Sequence, residues 1–209
     1  MPMNYEMHAL FDPPYIMDDA VWEALWAPYD QPTYQAVLDK LAPNDIILEI
    51  GAGDLRLSKQ MAKLTRTVYA IEIQELLLNQ AINSIYEHLP GNLIVIHGDA
   101  CSLPFPSGIT TGVLLMRHCI HFQLYVSKLK KAGCQMLITN ARWRMGVEAI
   151  SLQEPRVPFD KVSMGWYACD CGAVGFIPGP IGLLTPDLEA IIHEVANCPR
   201  CQKFGDYTK

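Results

Sequence analysis

The stretch that most constrains the fold is an apolar strand that runs directly into a glycine turn. Residues 46–50 place apolar side chains around one carboxylate, Glu49, and Gly51 and Gly53 follow with one residue between them. Glycines at this spacing allow the backbone to turn sharply and to approach a ligand without hindrance from a Cβ atom. Apolar residues at helical spacing then predict a helix over 57–64. The stretch therefore predicts a nucleotide-type binding turn at a helix amino-terminus.

Short apolar runs and helix-length segments alternate from residue 41 to about residue 141. Alternation of this kind predicts a parallel sheet covered on both faces, and right-handed crossovers limit it to a doubly wound, Rossmann-like α/β topology. Ligands of such sheets bind at the carboxyl ends of the strands. We expect strands at 46–50, 67–73, 93–97, 112–116 and 135–139, and helices at 57–64, 75–88 and 121–131.

The composition of the chain changes on both sides of this alternating segment, which predicts three parts: 1–41, 42–141 and 142–209. The first is aromatic-rich and fits a helical cover of two helices, one after Pro13-Pro14 and one capped by Thr33.

The third part is rich in Gly and Pro. It predicts an antiparallel hairpin with arms at 161–167 and 173–177, followed by a helix capped by Thr185.

Length and charge bound the possible functions. The 209 residues carry a formal charge of −6, which argues against broad electrostatic attraction to nucleic acid but leaves a local basic patch open. The sequence has no apolar run of membrane-spanning length and no signal-peptide pattern at its start, so we expect a cytoplasmic protein that does not contact a membrane.

The first and second predicted strands each carry a carboxylate near their carboxyl end. Glu72 lies 21 residues beyond Gly51, at the end of the second predicted strand, where it is placed to accept hydrogen bonds from a ribose diol. A dinucleotide-binding turn would have a third glycine where this chain has Arg56, and Glu49 would stand beside the pyrophosphate. The pattern therefore favours a cationic nucleoside over a dinucleotide.

The segment from Leu48 to Ala100 resembles the class I S-adenosylmethionine-dependent methyltransferases. Glu49-Ile-Gly-Ala-Gly53 is similar to their first motif, Ile71-Glu-Ile73 to the segment that holds the ribose, and His97-Gly-Asp-Ala100 to the one that contacts the adenine. Some similarity extends to protein-lysine methyltransferases related to Dot1 and to archaeal lysine methyltransferases, which usually have glycine at the position of Leu55. The resemblance implies S-adenosylmethionine as cofactor, bound by Glu49, Gly51, Ala52, Gly53, Glu72, Ile73, Asp99 and Ala100.

The resemblance places the methyl acceptor after the fourth strand, at Arg117-His118. His118 is the candidate for the general base or a substrate contact, and Arg117 for binding an anionic group. Alternatively, His118 or His121 only caps the next helix. Asn140 and Arg142, after the fifth strand, are weaker candidates of the same kind.

Two further points about function stay open at this level. The acceptor is a protein lysine, an RNA base or a small molecule. The alternatives to a methyltransferase are a non-catalytic protein that recruits a partner through its tail and a nicotinamide-dependent oxidoreductase.

Four of the seven cysteines come as two close pairs. Cys169 and Cys171 are separated by 26 residues from Cys198 and Cys201, an arrangement typical of a four-thiolate zinc site. Zinc would order a Gly- and Pro-rich tail that has little core of its own. A redox dithiol pair, unligated thiols and an iron–sulfur cluster are the alternatives.

Overall fold

A computed structural model describes residues 29–83, 89–117, 119–142, 146–185, 188 and 191–204. The chain divides into two compact units, Met1–Asp30 and Gln31–Lys209. All elements described below belong to the second unit. The first predicted helix of the N-terminal cover lies outside the described residues, and the second is present as α1, Gln31–Leu38.

The alternating segment supplies five strands of a six-stranded sheet in the order β3-β2-β1-β4-β5-β6, and the sixth, β6, follows that segment and was not predicted. The strands β1 to β5 are parallel, and β6 is antiparallel to β5. This confirms the predicted doubly wound, mostly parallel α/β fold. The strands are Ile46–Ile50 (β1), Thr67–Glu72 (β2), Leu93–His97 (β3), Thr111–Leu114 (β4), Met136–Thr139 (β5) and Glu148–Ser151 (β6), and the helices between them are Arg56–Leu64 (α2), Glu75–Asn83 (α3) and Phe122–Lys131 (α4).

The main core lies between the sheet and α4. Side chains alternate between the two faces of a strand, so Leu48 and Ile50 of β1 enter the cluster beneath α4 whereas Glu49 lies on the other face. The helix contributes Phe122, Tyr125, Val126 and Leu129 to that cluster. This packing holds the carboxyl ends of the strands, and thus the glycine turn, in a fixed arrangement.

Several predicted boundaries differ from the structure. The helix α1 begins two residues before Thr33, with Pro32 in its first turn, where a missing N–H group costs nothing. The strand β2 ends at Glu72 rather than at residue 73. The strand β4 ends at Leu114 rather than at 116, because the Thr139 hydroxyl donates to the Leu114 carbonyl over 2.7 Å and so uses the group that would continue the ladder.

The C-terminal part forms a second sheet of four strands in the order β7-β10-β8-β9. Its antiparallel hairpin, Gly165–Cys169 (β8) and Val174–Ile177 (β9), confirms the predicted one, although the first arm begins at residue 165 rather than at 161. The strands Val157–Pro158 (β7) and Ile192–Ala196 (β10) pair in parallel and were not predicted. A short helix, α5, covers Pro199–Phe204.

The Thr185 hydroxyl accepts a hydrogen bond from the Leu188 amide over 3.2 Å, which is the contact expected of the predicted helix cap. Most of the predicted helix after it lies outside the described residues. Among the residues that are described, none of the helices has the length and apolar character needed to cross a membrane.

Candidate functional site

The turn after β1 requires its glycines. Gly51 and Gly53 have φ values of 76° and 57°, in the left-handed region that favours glycine. A Cβ atom on Gly51 would lie 3.2 Å from Cε of Met116, so the Met116 side chain would have to shift to accommodate it. The Gly51 and Ala52 amides both donate to the Ile71 carbonyl, over 2.9 and 3.0 Å, which folds the turn over the end of β2.

Glu49 is buried directly before the turn and is 5% exposed. One carboxylate oxygen accepts a hydrogen bond from the Ser58 hydroxyl of α2. Burial raises the pKa of Glu49 to about 8, and the nearby charges of Asp54 and Glu72 act in the same direction. Ser58 was not predicted; the signal for it is a lone hydroxyl on the apolar face of the helix that follows the turn.

Glu72 joins the glycine turn to the end of β2. Its Oε2 accepts a hydrogen bond from the Gly53 amide over 2.8 Å, and its Oε1 accepts one from the Gln74 amide over 2.9 Å. Each carboxylate oxygen has a second lone pair for a ligand. The predicted ribose-binding residue is thus oriented by the same turn that is predicted to bind the rest of the nucleoside, and Ile73 beside it is 60% exposed.

Asp99 follows β3 in a loop that α4 holds in place. The Cys101 amide donates to the Asp99 carboxylate over 2.8 Å, and this hydrogen bond lowers the pKa of Asp99. Lys128 of α4 donates to the carbonyls of Ala100, Cys101 and Leu103. Sequence reasoning missed Lys128, because its partners lie 25 to 28 residues away along the chain.

The acceptor candidates lie at the ends of β4 and β5. Arg117 is exposed in the loop after β4, and His118 lies outside the described residues. His121 occupies the position before α4, but its side chain makes no capping hydrogen bond. Asn140 is buried after β5. Arg142 is 1% exposed and is bound by two carboxylates, Glu148 and Glu194, so it bridges the two sheets.

The four paired cysteines converge at the tip of the second sheet. Their sulfur atoms all lie within 4.8 Å of one another. The distances are 3.5 Å between Cys171 and Cys198, 3.7 Å between Cys169 and Cys201, and 3.8 Å between Cys198 and Cys201. These separations are far longer than the S–S bond of about 2.05 Å in a disulfide. Hydrogen bonds, the first of them from Cys171, lower the pKa of Cys169 to about 5.

The cysteine cluster is anchored on α4. Asp170, between the first two cysteines, forms ion pairs with Lys130 of α4 and, over 2.9 Å, with Arg156. Gly172 lies against the first turn of the same helix: a Cβ atom there would be 3.3 Å from the Phe122 ring. One helix therefore contacts both the loop after β3, through Lys128, and the cysteine cluster.

Comparison with known proteins addresses the segment that contains this site. The family model described as "Methyltransferase domain" matches residues 47–137, from β1 into β5. The chain contains a class I S-adenosylmethionine-dependent methyltransferase domain. The match includes the glycine turn, Glu72 and the loop after β3, so these parts of the site belong to this domain. The similarity to the Dot1-related subgroup stays a prediction.

One curated relative of the domain is the probable ribosomal RNA small subunit methyltransferase A of Methanosarcina barkeri, which is 37% identical over 67 residues. That match covers 32% of this chain and 23% of the relative, so the chain spans under a quarter of the relative's length.

Two solved structures are similar over about half of the chain. A dimethyladenosine transferase from Plasmodium falciparum has a TM-score of 0.47 at 20% identity, with 53% of this chain and 41% of that chain covered. A methyltransferase from Thiobacillus denitrificans in complex with S-adenosylhomocysteine has a TM-score of 0.46 at 15% identity, with 56% and 52% covered.

Proposed function

We propose that the protein is an enzyme that binds S-adenosylmethionine at the glycine turn and transfers its methyl group to a nucleophile at the carboxyl edge of the first sheet. The observation that carries this proposal is the hydrogen bond from the Gly53 amide to Glu72, which makes the turn and the ribose-binding carboxylate one unit inside the matched domain. S-adenosylmethionine supplies an already activated methyl group.

The residues at the ends of β1, β2 and β3 fit this cofactor. The positive φ of Gly51 strains any residue with a side chain, and glycine there leaves the backbone of the turn open to close approach by a ligand. Glu49 places a carboxyl group beside the turn, and a bound sulfonium charge would favour the ionised form of that group. The proposed cofactor residues are Glu49, Gly51, Ala52, Gly53, Glu72, Ile73, Asp99 and Ala100.

The chain's own task in methyl transfer is to orient the nucleophile and, where it is protonated, to accept its proton. We assign these roles to the loop after β4, with His118 as base or substrate contact and Arg117 as the anion-binding group.

RNA is the acceptor to test first, because the relative from Methanosarcina barkeri is named as a ribosomal RNA methyltransferase. Protein lysine and small molecules are the other arms of the test.

Calorimetry with S-adenosylhomocysteine tests the cofactor assignment. Glu72→Ala removes the partner of the Gly53 amide and the proposed ribose contact, so we expect binding to fall at least about 100-fold, since each lost charge-assisted hydrogen bond costs about 1.5–3 kcal/mol. Glu75→Ala, an exposed carboxylate three residues further on, is the matched control and should bind as the wild type does. Binding of NADH without binding of S-adenosylhomocysteine would contradict the proposal.

We also propose that Cys169, Cys171, Cys198 and Cys201 bind a structural zinc ion. Four sulfurs at the Zn–S distance of about 2.3 Å form a tetrahedron with edges of about 3.8 Å, and the three sulfur–sulfur separations of 3.5 to 3.8 Å agree with that edge. Four thiolates complete the coordination of the ion, which favours a structural over a catalytic role.

Metal analysis of the purified protein tests this assignment. We expect about one equivalent of zinc in the wild type and its loss in Cys198→Ser, since a three-thiolate set binds zinc far more weakly. Cys134→Ser is the matched control, because Cys134 is equally buried but lies outside the cluster. Seven titratable thiols in a metal-free wild-type protein would refute the zinc site.

A further inference from the structure

The amide of Asn140 is buried without a partner. The residue is 5% exposed, and neither its Oδ1 nor its Nδ2 has a hydrogen-bond partner in the part of the chain that the structure describes. Buried polar side-chain atoms are normally bonded, and an unsatisfied one lowers stability. The preceding residue shows the usual arrangement: the Thr139 hydroxyl donates to the Leu114 carbonyl and accepts from the Ala141 amide. Asn140 therefore holds an unused donor and an unused acceptor.

Asn140 lies at the half of the first sheet that carries none of the proposed cofactor residues. Those residues follow β1, β2 and β3, whereas Asn140 follows β5, on the other side of β4. The register pairs Glu49 with Val113 and Val113 with Ile138. Two residues further along, Gly51 and Asn140 reach the same edge, about 10 Å apart at the usual strand spacing.

We propose that Asn140 binds the methyl acceptor through a nucleobase edge that presents an N–H donor beside a lone-pair acceptor. This rests on the proposed methyl transfer. One carboxamide makes two hydrogen bonds to such an edge, as asparagine does with adenine. A lysine amine offers its N–H donors to Oδ1 but has no spare acceptor for Nδ2, because its lone pair attacks the methyl group. Of a lysine amine and a nucleobase, the nucleobase is the one that satisfies both amide atoms.

Asn140→Leu and Thr139→Val separate this role from a structural one. Tritiated S-adenosylmethionine is supplied with total RNA, with a mixture of free ribonucleosides and with total protein. For Asn140→Leu we expect kcat/KM on the RNA or nucleoside probe to fall about 100-fold, with S-adenosylhomocysteine affinity within about twofold and an unchanged or higher melting temperature, because an unpaired amide is replaced by an apolar side chain of similar size.

For Thr139→Val we expect the converse. The melting temperature should fall by about 2–4 °C, since two hydrogen bonds are lost, while methyl transfer stays within about twofold. If Asn140→Leu does not fold, Asn140→Ala carries the same kinetic expectation. The two nucleic-acid probes distinguish an RNA acceptor from a free nucleoside.

The outcomes distinguish the two proposals. The role of Asn140 would be overturned if the Asn140→Leu or Asn140→Ala variant bound S-adenosylhomocysteine and methylated RNA or nucleosides as the wild type does. The proposed methyltransferase activity would then still stand. Transfer to the protein fraction alone would also overturn it. A wild type that binds no S-adenosylhomocysteine and labels none of the fractions would overturn both.

Discussion

Leu55 combines a buried side chain with a left-handed backbone, which is uncommon for a residue other than glycine. It has a φ of 65° and is fully buried at the start of α2. Leu55→Ala and Leu55→Gly both remove the packed side chain, at about 2–5 kcal/mol. Only glycine relieves the backbone strain of about 1–2 kcal/mol. We therefore expect Leu55→Gly to be the more stable variant by about 1 kcal/mol in urea unfolding.

The expected order at Leu55 is the reverse of that inside a helix, where glycine is about 1 kcal/mol less favourable than alanine. Ala62→Gly, within α2, provides the comparison and should lower the free energy of unfolding by about that amount. If Leu55→Ala proved more stable than Leu55→Gly, the left-handed conformation would not be a source of strain.

Glu49 gives the protein a specific pH dependence. Its pKa is raised by burial from 4.5 to about 8, so the folded state holds a proton that the unfolded state has released. Stability contributed by this group is present in full below pH 4.5 and is lost as the pH rises through 8. Glu49→Gln keeps a partner for Ser58 without the charge, so its free energy of unfolding should decline less than that of the wild type between pH 5.5 and 8.5. Parallel curves would contradict the shifted pKa.

At the level of secondary structure, the five parallel strands of the first sheet were predicted, whereas β6 and most of the second sheet were not. The strand Ile46–Ile50 is a compact apolar run bounded by turn residues, so it was predicted at its observed limits. The strand Ile192–Ala196 alternates polar and apolar residues weakly, and its partners Val157–Pro158 and Gly165–Cys169 lie far away along the chain. Parallel pairing between such short strands depends on contacts that have no local signal in the sequence.

Arg142 joins β6 of the first sheet to β10 of the second through Glu148 and Glu194. Removing one member of a buried ion pair leaves charge uncompensated and lowers stability by about 3–5 kcal/mol. We expect Arg142→Met to lower the free energy of unfolding by about that amount, measured in urea. Arg56→Met is the control, since the pair of Arg56 with Asp54 is about one-third exposed and is worth less than about 1 kcal/mol. Equal effects of the two substitutions would argue against a buried bridge.

Across the whole molecule, the candidate site was predictable where it follows the ends of strands. Glu49, Glu72 and Asp99 were found because each ends or follows an apolar run, and parallel strands bring such ends to one edge. The groups that orient these carboxylates were not predicted from the sequence. Lys128 reaches three carbonyls of the loop after β3, and the Gly53 amide reaches Glu72 across 19 residues, and these pairings exist only in the folded chain.

The two sheets have separate cores, which predicts how the molecule responds to loss of metal. The first core contains no residue beyond Leu152 among its buried members, whereas the second consists of Val162, Cys169, Val195 and Cys198, two of them proposed zinc ligands. Chelation should therefore unfold the second sheet and leave the first folded. Hydrogen exchange should show lost protection in β8 and β10 with protection kept in β1 to β5, and S-adenosylhomocysteine should still bind. As a control, the chelator should not change the hydrogen exchange of the Cys198→Ser variant any further. Equal loss of protection in both sheets would contradict the prediction, because it would show that the metal stabilises the molecule as one unit.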